Sequence, residues 1–520
     1  MPEPVRDIPP TQHLLIVVLA VLAIGLRVAA FLDAPPLNTD EARYLIAAHH
    51  LRYGAGYADW RGPEIDIHPL HPFLVCLLGA DPASLEVRGR CVALVCSILL
   101  LWPLLIAAQR LGGGASGCLF LLLAGLHPWL VSSAAPAQPE SLYVLLVSLG
   151  LALILPGSDR VVYVGRWTAA GFLFGLAYLA RPEGLPVGLL VIVLSLVHRG
   201  RPARSEIVGA CAFVAMLLVT SFTYLVFLKW ATESWTVTGK VAELFFVGQS
   251  MYDAGNRPVD VSIYLGLIER WKGVLPFIFA NPEVVLLRVL DNVRRILGWT
   301  VPVALGPAGL AGLIGSVEIF RQRTDLRRVL ALYLAPCLTL LLMLLTFRNE
   351  RVIGTVLPFL FVVSAVGMVA LGKRLSMDRG RRRFWGWAGV LLSVLLLWTP
   401  SAIRLVAGQH PVFPERQAVR LALAYAGSGN RVASNSAVLS FYLRDPLMFG
   451  PPGNYHPLPL TTSCEVLAEE LRARNASAAL LETDLRLPAV VSGESHCLLR
   501  SLDQIEDPIE QHRITLLTWK

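Results

Sequence analysis

The chain has 520 residues, of which 55% are hydrophobic and 16% charged, and a mean hydropathy of +0.59. That balance is too apolar for an ordinary water-soluble protein and places the chain among membrane proteins. The formal net charge of +8 calls for no nucleic-acid partner, because much of it sits in short loops between apolar runs, and no nucleic-acid motif is present.

Apolar runs of roughly 18 residues or more, the length that crosses a bilayer, recur as far as Pro400. We place spans near 14–32, 88–109, 116–134, 141–156, 166–181, 184–198, 206–228, 300–320, 329–346, 352–371 and 384–400, about eleven in all. The first is long, carries Arg27 near its end and lacks a small-x-small cleavage site, so it reads as a membrane helix and not a cleaved signal. Arg110, Arg160, Arg166, Arg199, Arg201, Arg204, Arg321, Arg323, Arg327, Arg328 and the basic run from Lys373 to Arg383 fall in alternate loops. The positive-inside rule puts these loops and the N-terminus in the cytoplasm. Asp40, Glu41, Glu140, Arg181 and everything after Pro400 then lie outside.

The first outer loop, 33–87, is rich in polar groups. Asp40 to Tyr53 reads as a short helix capped by Asn38 or Thr39 and stopped by Gly54. Two readings fit its acids. Carboxylates favour the first turn of a helix, and Asn38 with Glu41 has capping-box spacing. Alternatively, acids beside hydrocarbon face water, a partner or a substrate. Glu140 recurs at the mouth of a later pair of apolar runs. If the helices fold back on one another, Asp40, Glu41 and Glu140 line one cavity at one membrane face, as in a membrane-embedded enzyme. Asp59, Arg61, Glu64, Asp66, His68 and His71 follow in the same loop, where a histidine is commonly just an interfacial residue.

A second outer segment, 229–299, is too polar to span, and Asp291 to Trp299 within it reads as an amphipathic interfacial helix. Arg181, Arg348 and Arg351 stand at outer membrane ends. The planar fork of arginine suits phosphate, though such side chains also snorkel to lipid headgroups. After Pro400 the composition turns soluble. Helices are expected over 415–426 and 464–474 and strands over 431–434, 478–482 and 514–519, which makes a small outer α/β domain over 401–520. Tyr442, Arg444 and Asp445 there are surface residues of a lid or docking domain, or acceptor contacts. Cys464 and Cys497 fall in this domain, where oxidising conditions permit a disulfide, while Cys76, Cys91, Cys96, Cys118, Cys211 and Cys337 lie in or beside apolar runs. No fixed-period repeat, metal-finger spacing or nucleotide-binding glycine loop is present.

The ordered set Asp40-Glu41-Ala42-Arg43-Tyr44, Gly56-Tyr57, His68-Pro69-Leu70-His71-Pro72, Val87-Arg88, Gln109-Arg110-Leu111-Gly112, Gln138-Pro139-Glu140-Ser141-Leu142 and Gly175 to Gly184 resembles the GT-C glycosyltransferases. More narrowly it is similar to their protein O-mannosyltransferase-like branch, which includes the lipid A aminoarabinose transferases. The resemblance covers the first two hundred residues or so, and the rest matches in architecture alone.

It implies a GT-C fold: an α-helical polytopic body over 1–400 in a bacterial cytoplasmic (inner) membrane, followed by the small periplasmic α/β domain. It also implies transfer of a sugar from a polyprenyl-phosphate donor to a lipid, glycan or protein acceptor outside that membrane. Asp40 would be the general base of an inverting displacement, Glu41 its orienter, and Glu140 the second acid of the cavity. Arg351, Arg181, Arg348 and His68 would meet the donor phosphate, and Tyr44, Arg61 and His71 would complete the site. Relatives often carry a lysine or proline where His68 stands, which weakens the phosphate role of that histidine. Some GT-C enzymes hold a divalent metal with acidic residues, but a single acidic pair without a rich ligand cluster does not point to one here, and no other cofactor is implied. Competing classes are a glycan ligase or polymerase with a lipid-diphosphate donor, and a transporter or flippase. The latter typically places charges near mid-bilayer in repeated halves.

Overall fold

The computed structural model describes residues 10–154, 164–197, 204–253, 261–271, 273–322, 331–345, 350–375, 432–434, 436–444, 448–452, 464–474, 476, 478–484, 499–507 and 512–519. Helix α1 (Pro10–Leu32) leads into α2 (Thr39–Arg52), the minimal hairpin β1 (Ala58–Asp59) and β2 (Gly62–Pro63), and α3 (Leu70–Leu78). Then come α4 (Leu85–Leu99), α5 (Leu101–Gly112), α6 (Gly114–Leu126), α7 (Pro128–Ser132), α8 (Glu140–Ile154), α9 (Val164–Ala180), α10 (Gly184–Val197) and α11 (Arg204–Thr232). The polar segment after α11 holds α12 (Lys240–Asp253), α13 (Val261–Trp271), α14 (Val274–Ala280) and α15 (Pro282–Arg295). A π-helical turn (Ile296–Thr300) feeds α16 (Val301–Gln322), and a 3₁₀ turn (Ala335–Cys337) precedes α17 (Leu338–Leu345) and α18 (Glu350–Leu375).

Where they are described, the first ten expected spans fall largely on helix, with 300–320 kinked at Gly306, and the eleventh, 384–400, lies outside the described residues. Four helical stretches are long and apolar enough to cross a membrane by themselves: 10–32, 85–112, 204–232 and 351–372. Shorter apolar helices, including 114–126, 140–154 and 184–197, pack among them. The expected span 116–134 instead breaks at His127, whose extended backbone lets Pro128 start the separate helix α7. The amphipathic stretch expected at 291–299 is the end of the longer α15, which runs on through the π-helical turn into α16.

Exposure and internal packing divide the helix faces. On α1, Leu14, Val17, Val18 and Val21 are exposed, while Ala23, Arg27 and Ala30 face inward. Arg27 ties three helices together: its Nε donates to Ser97 Oγ (3.0 Å), and its Nη groups donate to the carbonyls of Ala23, Ala124 and Gly125 (3.0, 3.2 and 3.3 Å). Helices α16 and α18 meet through small residues. A side chain at Gly312 or Gly367 would collide with the facing backbone, the close approach that lets membrane helices pack without a hydrophobic drive. This contact seats α18 in the core and leaves Arg351 in its first turn.

Residues after 431 build a four-stranded mixed sheet in the order β3 (Val432–Ser434), β4 (Ala478–Asp484), β6 (His512–Trp519), β5 (Leu499–Asp507). β3 and β4 run parallel and the other pairs antiparallel. Helices α19 (Ala437–Tyr442) and α20 (Cys464–Ala473) accompany the sheet. β5 was not expected from its sequence, Leu-Arg-Ser-Leu-Asp-Gln-Ile-Glu-Asp. A register shift between Ser501 and Asp503 breaks its alternation, and its charged residues are poor strand formers. The helix expected over 415–426 and the pairing partner Cys497 lie outside the described residues.

Candidate active site

The first turn of α2 is built by the capping box foreseen in its sequence. Asn38 Oδ1 accepts from the Glu41 N–H (2.9 Å), and Glu41 Oε1 accepts from the Asn38 N–H (3.3 Å). Glu41 does more than cap. Its Oε2 accepts from the Ala137 N–H (2.8 Å), which joins the start of α2 to the turn before α8. The side chain expected to orient the base is therefore buried and bonded to backbone on two loops. Gly54 and Gly56, with φ of +81° and +83°, take the left-handed turn that ends α2.

This joint brings together ends of four helices. Arg351 Nη1 lies 2.7 Å from Asp40 Oδ2, and its Nη2 and Nε lie 2.7 and 2.9 Å from Glu140 Oε1. Arg181 Nη1 reaches the same Glu140 oxygen (2.7 Å), while its Nη2 and Nε hold Glu183 (2.8 and 3.2 Å). The result is a chain Asp40–Arg351–Glu140–Arg181–Glu183. Glu140 Oε2 is buried with no hydrogen-bond partner among the described residues. Asp40 and Arg351 remain the open end, with side chains 36% and 35% exposed.

Burial by itself would raise the Asp40 carboxyl. The charges of Lys240 and Arg351, with the Arg351 hydrogen bond, outweigh it and hold the group down to about 2. Asp40 is thus a carboxylate at any physiological pH. Lys240, the first residue of α12, is a cation that the sequence reading missed. The Gly239 N–H donates to Ile65 O (2.9 Å), which pins the start of α12 to the first loop, and the Lys240 N–H donates locally to Thr238 Oγ1 (3.3 Å). Among the described residues Lys240 has no ion-pair partner, whereas Arg351 and Arg181 are both bonded to carboxylates. Nothing in its local sequence announces Lys240, since its role comes from contact between two distant loops.

A cavity of about 300 Å³ adjoins the open end. Glu140, Arg351, Gln138 and Ser141 border it, and Arg27, Ser97 and Thr355 line it further along.

Of the other expected residues, Tyr44 stands against this network, within the electrostatic reach of Glu140, Arg351, Asp40 and Arg181. His68 is completely buried between Tyr178 and Tyr224 (ring centroids 5.0 and 4.9 Å), and burial pushes it down to about 3. Buried there, the neutral ring carries no positive charge. His71 is likewise buried, pushed down to about 4, and packs edge-on against Tyr44 at 5.5 Å. Arg61 belongs to a second network: Arg43 binds Asp59 (3.1 Å), Glu64 (2.8 Å) and Asp66 (2.8 Å), and Arg61 binds Asp59 (3.0 Å) and Asp66 (3.3 Å). Arg348 lies outside the described residues. Among the described residues, no group of three or more His, Cys, Asp or Glu side chains is placed to hold a metal ion.

No family model and no curated relative matches the chain. Solved structures do. Over 96% of this chain and 97% of the other, it is similar to ArnT from Cupriavidus metallidurans bound to undecaprenyl phosphate, with a TM-score of 0.57 and 14% identity. Over 92% of this chain and 69% of the other, it is similar to the oligosaccharyltransferase AglB from Archaeoglobus fulgidus in complex with an inhibitory peptide and a dolichol-phosphate, with a TM-score of 0.58 and 12% identity. The chain therefore has the fold of the GT-C membrane glycosyltransferases.

Proposed function

We propose that this protein transfers a sugar from a polyprenyl-phosphate carrier to a hydroxyl-bearing acceptor at the outer face of a bacterial cytoplasmic membrane, with Asp40 as general base. The observation that carries this reading is a partly exposed carboxylate at a helix start, held ionised by Lys240 and bonded to Arg351, an arginine that lines a cavity. The undecaprenyl phosphate and dolichol-phosphate bound by the two structural neighbours support a lipid-phosphate donor.

In the proposed reaction Asp40 takes the proton of the acceptor hydroxyl as that oxygen attacks the anomeric carbon. The bond from this carbon to the phosphate oxygen breaks, the lipid phosphate leaves with the electron pair, and the configuration inverts. Lys240 meets the phosphate charge that develops. Arg351 and Arg181, first expected on the phosphate, serve instead to keep Asp40 and Glu140 ionised and in place. For them to meet the donor directly, their carboxylate pairs would have to open. The cavity bordered by Glu140 and Gln138 receives the acceptor.

The test compares envelope glycolipids and glycoproteins by mass spectrometry from cells lacking the protein, complemented at equal membrane abundance. A sugar present with wild type, absent with Asp40→Asn and reduced with Lys240→Met is the expected result. If Asp40→Asn restores the product, Asp40 is not the base. If no variant, wild type included, alters any glycan, the transporter reading replaces this one.

A further inference from the structure

Helix α2 is held from a direction that neither its own sequence nor the membrane body supplies. The Leu37 N–H, one residue before the cap Asn38, is buried and donates to the hydroxyl of Tyr442 at 2.9 Å, across 405 positions of sequence. The same hydroxyl donates to Glu86 Oε1 at 3.4 Å. Glu86 is paired with Arg90 (2.8 Å), and Arg90 in turn donates to the carbonyl of Pro35. Pro35 to Leu37 are thus suspended between Arg90 on α4 and Tyr442 on α19. Further along α2, Phe449 packs edge-on against His49 at 5.1 Å. Phe441, Met448 and Phe449 join the same hydrophobic core as Leu37, Leu45 and Ile46. Residues 441–442 and 448–449 therefore grip α2 at its entry and near its last turn.

We propose that Tyr442 is a positioning residue for Asp40: its hydroxyl fixes the rotation of the first turn of α2, so that the segment after the last membrane helix sets the aim of the base. This rests on the reading of Asp40 as base. Ring packing alone would ask only for a second phenylalanine beside Phe441. A phenol that both accepts and donates is used for its polar atom. Aim matters here because successive helix positions differ by about 100° around the axis. A small turn of the helix entry would carry the Asp40 carboxylate away from Arg351 Nη1.

Tyr442→Phe removes one oxygen and keeps the ring. In the full-length protein in nanodiscs, we expect backbone hydrogen exchange over 37–44 to quicken about tenfold, with exchange in α8 and α18 unchanged. With polyprenyl-phosphate sugar as donor, kcat should fall about tenfold at an unchanged donor KM, and the acid limb of kcat/KM should move to higher pH as Asp40 drifts from Arg351. Phe449→Leu, which thins the packing and leaves the hydroxyl, should leave exchange at 37–44 and the acid limb as in wild type. Wild-type exchange over 37–44 in Tyr442→Phe would overturn the proposal. So would equal effects of both variants, which would mean that docking of the segment in general, and not this hydroxyl, holds α2. The base reading fails separately, if Asp40→Asn transfers sugar; the exchange result then still decides whether Tyr442 fixes the helix.

Discussion

Two ionic networks flank α2, and each contains two arginines and three carboxylates. One joins Asp40, Glu140 and Glu183 to Arg351 and Arg181; the other joins Asp59, Glu64 and Asp66 to Arg43 and Arg61. They differ in reach and exposure. The second closes within one loop around Arg43, whose side chain is 7% exposed, against Glu64 at 0% and Asp59 at 2%. The first draws on residues up to 311 positions apart and leaves Asp40 and Arg351 about a third exposed. A closed local network of this kind stabilises its loop. An open one assembled from distant helix ends keeps charge available to a substrate.

Substitutions sharpen that contrast. The largest effect should come from Asp40→Asn, which keeps the shape but removes the base. Transfer should fall roughly 10³-fold with the unfolding temperature nearly unchanged, as read by product formation and thermal denaturation of the same preparation. Arg43→Met should behave in the opposite manner. It leaves three carboxylates facing one another in a buried site, a loss of about 3–5 kcal/mol. Limited proteolysis would detect it as new cleavage between Gly54 and Asp66. If Arg43→Met kept the loop intact and abolished only transfer, the division between the two networks would collapse.

Arg351→Gln gives a subtler reading. Asp40 works as a base only when ionised, so activity is lost as pH falls through its pKa. Arg351 is one of the groups holding that pKa near 2. Its removal should raise the acid limb of kcat/KM by about 1–2 pH units, measured between roughly pH 3 and 8. An unmoved limb would mean that Arg351 does not govern Asp40.

The smallest expected effect concerns His68. Its folded pKa is depressed to about 3, so the unfolded chain takes up a proton that the folded chain refuses. The contribution to stability is complete above the unfolded pKa of about 6.5 and is lost as pH falls below it, by up to about 1.4 kcal/mol per unit. Between pH 7 and 5 the unfolding temperature of wild type should therefore drop further than that of His68→Phe. Equal drops would show that His68 is accessible to protons, and would favour the phosphate contact expected of it.

Residue pattern alone carried much of this molecule. Uniform apolar runs located the apolar helices, because the length and composition that crossing hydrocarbon demands stand out in a sequence. Asn38 and Glu41 announced their capping box because capping is a contact between near neighbours. The ordered motifs of the first two hundred residues pointed to the fold. What escaped was set by contacts across long stretches of chain. Only the folded protein showed that Glu41 bonds Ala137, that Arg351 and Arg181 are bonded to carboxylates, and that His68 lies sealed among tyrosines. The positions of Lys240 beside Asp40 and Tyr442 beneath Leu37 are of the same kind. Side-chain type states what a residue is able to do, but charge state and partner depend on burial and neighbours, and those exist only once distant helices have packed.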